Sequence, residues 1–83
     1  MDVQQKRILF RANHRGTREA DRLLGGFAKA RLPTLSVEQV AKFEALLEEN
    51  DVDILLWIQG LRPIPNDHNH EVMAQLIEFK NAI

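Results

Sequence analysis

His14-Arg15-Gly16-Thr17-Arg18-Glu19-Ala20-Asp21 carries four charges and a glycine in eight residues, and it divides one apolar-periodic stretch from the next. Thr17 suits a helix N-cap, and Glu19 and Asp21 then fall in the first turn, where carboxylates oppose the positive end of the helix dipole. That account covers Thr17 and the acids. It leaves Arg15 and Arg18 over, since cations at a helix start are mildly unfavourable. It also leaves Gly16 open, because glycine permits a positive φ or a close backbone approach.

Upstream, Asp2 can cap a first helix, with Gln5 three residues on as in a capping box. Val3, Ile8, Leu9 and Ala12 make its apolar side, while Lys6, Arg7 and Arg11 lie mainly opposite. Phe10 falls between the two faces, as core or as the flank of a binding surface. Downstream of the junction, Ala20, Leu23, Leu24, Phe27, Ala28 and Leu32 recur at helical spacing. Gly25-Gly26 interrupts them and predicts a bend or a close helix crossing. Pro33 is expected to end this segment by turning Leu32 away from helical geometry.

Ser36 and Gln39 form a second capping box, opening a helix striped by Val40, Phe43, Leu46 and Leu47. Asp51 is expected to cap a fourth helix that packs Ile54, Leu55, Trp57 and Ile58 inward and stops at Gly60. Pro63 and Pro65 predict a non-helical loop over 61–67, and Asn69 or Asp67 then caps a last helix striped by Val72, Met73, Leu76, Ile77 and Phe79. Nothing alternates with the period of a strand. The expectation is an all-α, single-domain bundle of about five short helices over 1–83, with Leu9, Leu23, Phe27, Phe43, Leu47, Trp57, Ile58, Leu76 and Ile77 in its core.

Eighty-three residues make a modest core with little room for a deep substrate cavity, which disfavours an enzyme. There is no cysteine, so disulfides and thiolate chemistry are excluded. No apolar run approaches a membrane span, and the N-terminus lacks the marks of a secretory or transit peptide, so a cytoplasmic protein is expected. His68 and His70 stand two apart and share no helix face, and no acid–histidine spacing resembles a zinc motif, so no metal is expected. Ser36 is accounted for as a cap, and phosphate-loop and nucleophile-elbow patterns are absent.

The net charge of −1 conceals a split: residues 1–31 hold eight bases against three acids, residues 32–83 three bases against nine acids. A basic docking face follows as one reading, two solvated faces as the other. The basic half invites a nucleic-acid-binding alternative, but Glu19 and Asp21 at the start of the second helix, with a pI of about 6.3, oppose it.

Arg15-Gly16-Thr17-Arg18-Glu19 after a short basic helix resembles the Arg-Gly-x-x-Glu signature of the SdhE family, the succinate dehydrogenase assembly factors. The likeness extends through Arg-Ile-Leu-Phe-Arg (7–11), Phe-Glu-Ala-Leu-Leu-Glu (43–48) and Asp51-Val52-Asp53-Ile54-Leu55-Leu56-Trp57. It implies a small helical bundle, from a bacterium, that is not an enzyme by itself. Such a protein binds the flavoprotein subunit of succinate dehydrogenase, and in some bacteria that of fumarate reductase; a monomer is expected here. It promotes covalent attachment of FAD to a histidine of the client while holding no flavin stably itself. The resemblance places Arg15, Gly16 and Glu19 in the contact surface, with Asp21 close behind; the charge pattern adds Arg18, Arg11 and Arg7. An antitoxin-type regulatory role, also described for the family, stands as a further alternative.

Overall fold

Asp2 converts extended backbone into α1 (Val3–Asn13) by accepting the Gln5 amide at 2.8 Å. The computed structural model describes residues 1–83 and contains four further helices, α2 (Arg18–Arg31), α3 (Val37–Leu46), α4 (Asp51–Ile58) and α5 (Glu71–Ala82). Single 3-10 turns at Leu32–Thr34 and Asn66–His68 punctuate the connections. The fold is all-α.

α1 and α2 form the most extensive helix pair, and α5 packs across α2, α3 and α4. Gly25 explains how closely the first two approach. A Cβ there would collide with the Asn13 side chain and stand 3.2 Å from its Cα. The Gly25-Gly26 pair therefore makes a close crossing within an unbroken α2, not a bend. Phe27 lies at the centre, its ring 5.3 Å from Phe43 and edge-on to Phe79 at 5.8 Å, within the favoured range for aromatic pairs. Around them Ile8, Leu24, Leu32, Leu46, Ile54, Met73 and Leu76 are fully buried. Of the nine core residues expected from periodicity, Leu9 and Ile77 are only half-buried and the other seven are buried.

Several boundaries differ from the sequence expectation. Leu32 stays helical (φ −53°, ψ −42°) with its amide on the Ala28 carbonyl, and Pro33 enters the following 3-10 turn, where its missing N–H costs nothing. Asn50, not Asp51, caps α4, accepting the Val52 amide at 2.8 Å. The loop expected over 61–67 ends in the 3-10 turn at Asn66–His68, so Asn69 closes that turn and His70 caps α5 through Nδ1. The Ser36/Gln39 capping box forms with both reciprocal bonds. Gly60 ends α4 at φ +76°, with the Leu61 amide reaching the Leu56 carbonyl as in a Schellman motif.

The His70 cap is sensitive to pH. Burial, reinforced by the Lys42 ammonium and by His68 and opposed by Glu71, lowers the His70 pKa below its ordinary 6.5. The cap uses the Nδ1 lone pair, which only the neutral ring offers. With the folded pKa depressed, the unfolded chain binds the proton more readily, so this stabilisation is complete above pH 6.5 and is lost as the pH falls below it. Melting temperatures at pH 7.5 and 5.5 should show a larger acid-side loss in the wild type than in His70→Asn, whose amide caps at both values. Equal losses would remove the cap from the account.

Candidate partner-binding surface

Arg15 is the fastening of the α1–α2 junction. Its backbone N–H donates to Asp21 Oδ1 at 2.6 Å, and its Nε donates to Asp51 Oδ1 at 2.7 Å. The two terminal nitrogens donate to the Leu47 carbonyl at 2.6 Å and the Glu49 carbonyl at 2.9 Å. One guanidinium thus satisfies two carbonyls left over where α3 ends and neutralises a carboxylate in the first turn of α4. The Arg15 side chain is 11% exposed and that of Asp51 17%. The Arg15 head group is therefore turned inward.

Gly16 is what the fastening displays. It sits at φ +104° with nothing within 4 Å of the position a Cβ would take, and it is exposed. Thr17 then caps α2 by accepting the Ala20 amide. Asp21, half-buried, spends one oxygen on the Arg15 amide, so it shapes the loop from beneath. Glu19 is exposed, and its carboxylate accepts a hydrogen bond from the Gln59 amide at 3.3 Å.

The bases divide into two groups. Arg11 leans on Glu48 at 2.7 Å and Glu44 at 3.8 Å, joining α1 to α3. Lys6, Arg7, Arg18, Arg22, Lys29 and Arg31 take part in no ion pair. Arg18, Arg22 and Lys29 are exposed and recur at spacings of four and seven, so they share one side of α2. The basic half of the sequence therefore does leave uncompensated positive charge beside Gly16.

Beside the same loop, Phe10 is 62% exposed and its ring stacks on His14 at 3.9 Å, while His14 Nδ1 donates to the Phe10 carbonyl. This pair borders an open depression with Arg11, Arg15, Glu49, Asn50 and Asp51. The seven residues singled out from the sequence thus separate by role. Gly16, Arg18, Glu19 and Arg7 are outward, Arg11 is half-engaged, and Arg15 and Asp21 hold the loop. Sequence reasoning missed Asp51 as the partner of Arg15; two neighbouring acids, Asp51 and Asp53, were the available signal. No helix is long and apolar enough to cross a membrane.

A family described as "Flavinator of succinate dehydrogenase" matches residues 6–80. "FAD assembly factor SdhE" of Acetobacter pasteurianus is 36% identical over 76 residues, covering 92% of this chain and 70% of that protein. "Succinate dehydrogenase assembly factor 2, mitochondrial" of Danio rerio is 38% identical over 81 residues, covering 95% of this chain and 51% of its own. The Drosophila erecta protein "Succinate dehydrogenase assembly factor 2-A, mitochondrial" is 35% identical over 85 residues. The chain spans about half the length of these mitochondrial relatives, 51% and 52%. These relatives are named for assembly and not for a catalysed reaction. With the Arg15-Gly16-x-x-Glu19 loop inside the matched span, the chain belongs to the family described as flavinator of succinate dehydrogenase.

Proposed function

We propose that this chain binds the flavoprotein subunit of succinate dehydrogenase through the Gly16 loop and promotes covalent attachment of FAD to a histidine of that subunit. The observation that carries the reading is the contrast within the loop. Arg15 is bound at four points, whereas Gly16 stands bare beside the unpaired Arg18 and the lightly held Glu19. Such a loop offers a pre-set stretch of main chain with one charge of each sign, so little ordering is required on binding.

In this reading the chain holds no flavin of its own and FAD resides in the client. The attachment chemistry belongs to the flavin and the client; this chain holds the client in the conformation from which attachment proceeds. Membership of the family supports the reading, as does a relative named for FAD assembly. The fumarate reductase flavoprotein is a second client for the same surface. The protein acts as a monomer.

The test is covalent-flavin fluorescence of the denatured subunit under limiting FAD and without added dicarboxylate, made with wild-type chain, with Gly16→Arg or with none. Wild type should raise the covalent fraction and Gly16→Arg should not, because the bulky side chain separates the surfaces and strains the positive φ. Arg18→Glu should lose client capture while keeping the wild-type melting point, since Arg18 holds nothing within the fold. Equal fluorescence in all three samples would reject the proposal. Sub-micromolar binding to duplex DNA at physiological salt would favour the nucleic-acid alternative instead.

A further inference from the structure

The fold unites residues that the sequence holds apart. Glu49 lies in the connection between α3 and α4, while Asp67 and His68 lie in the 3-10 turn before α5. His68 is the only buried polar residue, and its ring stacks against Trp57 at 5.7 Å and 28°. The packing fixes where its Nε2 points. That nitrogen meets Glu49 Oε2 at 2.7 Å and lies 3.8 Å from Asp67 Oδ2. One donor atom from each residue falls within 4.8 Å of the other two.

We propose that Glu49, Asp67 and His68 form a binding site for a divalent transition-metal cation of the zinc class. Bonds of about 2.0–2.2 Å in tetrahedral geometry separate donor atoms by roughly 3.3–3.6 Å. The two separations at Nε2, 2.7 and 3.8 Å, bracket that spacing. The adjustment is small and falls on the movable members, since the side chains of Asp67 and Glu49 are 76% and 39% exposed whereas that of His68 is 4% exposed. Their exposure leaves a side open for water as the fourth ligand.

An imidazole nitrogen with two carboxylates suits zinc and its neighbours better than calcium or magnesium, which favour all-oxygen shells. Two carboxylates and a neutral ring also cancel the dication's charge. Coordination at Nε2 places the ring proton on Nδ1, which is buried without a partner. A metal-bound histidine ordinarily gives that proton to an acceptor, so affinity here is micromolar and not that of a closed structural site.

The site's place in the molecule gives it a consequence. The carbonyl of Glu49 accepts a hydrogen bond from Arg15, while the carboxylate of the same residue faces His68. A cation would clip the connection after α4 to the connection between α3 and α4 and tighten the residue on which the Gly16 loop is fastened. The site does not depend on which client that loop meets.

Calorimetric titration of the full chain with zinc chloride at pH 7.5 tests this directly. The expected result is one site per chain with a micromolar Kd, a raised melting temperature that EDTA reverses, and weaker binding at pH 5.5 as protons compete for the imidazole. Asp67→Asn should fold normally, because its side chain is exposed, yet lose at least about tenfold in affinity. Trp57 is the sole tryptophan, so nickel in place of zinc should quench its emission reversibly in the wild type and much less in Asp67→Asn. Absence of binding up to about 100 µM zinc, the weak end of micromolar affinity, would overturn the proposal. So would binding unchanged by both Asp67→Asn and Glu49→Gln, which would assign the metal to other histidines and leave His68–Glu49 a hydrogen bond alone.

Discussion

Replacing Arg15 by alanine should lower the stability of this fold by about 3–5 kcal/mol, the range for removing one partner of a buried, hydrogen-bonded ion pair. The substitution strands Asp51 at 17% exposure and withdraws two donors from the carbonyls of Leu47 and Glu49. Arg62 supplies the internal comparison. It pairs with Asp53 at 2.9 Å, a similar distance, but the two side chains are 55% and 40% exposed. Water already solvates that pair, so Arg62→Ala should cost under about 1 kcal/mol. Urea unfolding of both variants decides the matter. Equal small shifts would mean that Arg15 contributes no more than a surface charge. The outcome also governs how Arg15 variants are read in client-binding assays, because a loss of capture must first be separated from a loss of fold.

Trp57→Ala should be as severe, at about 3–5 kcal/mol, because the indole is 7% exposed and fills the space between α4 and the turn carrying His68. For 83 residues the total stability is roughly 4–12 kcal/mol, so the variant approaches the unfolding threshold at ordinary temperature. Leu61→Ala, at an exposed position three residues past the end of α4, should shift the midpoint little. Denaturation followed by circular dichroism avoids dependence on the lost fluorophore. A Trp57→Ala cost below about 1 kcal/mol would place the ring outside the core.

What was legible in the sequence was what local chemistry determines. The stripes of α2, α3 and α5 predicted Phe27, Phe43 and Leu76 as core, and Ser36 with Gln39 announced its own capping box. One departure occurs where a distant residue breaks a local tie. Asn50 and Asp51 are both good caps, one residue apart. The choice between them is made by Arg15, which takes the Asp51 carboxylate and leaves the cap to Asn50. Histidine is an unusual cap, and His70 takes the role because the 3-10 turn uses Asn69 as its own end. The inward turn of Arg15 was illegible for a related reason: a charged residue in a polar junction reads as exposed until the acceptors 32–36 positions away are known. Gly16 was legible as a backbone need, and its positive φ is that need.

The reach of Arg15 also sets an order of events during synthesis. α1 and α2 can pair once residue 31 has been made, since their contacts are local and such hairpins form early. Arg15, however, finds its acceptors at Leu47, Glu49 and Asp51. A nascent chain ending at residue 45 would contain the whole Arg-Gly-x-x-Glu stretch and yet present it unfastened. Competence to meet a partner therefore arrives only after α3 has emerged, and the same guanidinium that stabilises the fold ties the set of the loop to the synthesis of residues 47–51.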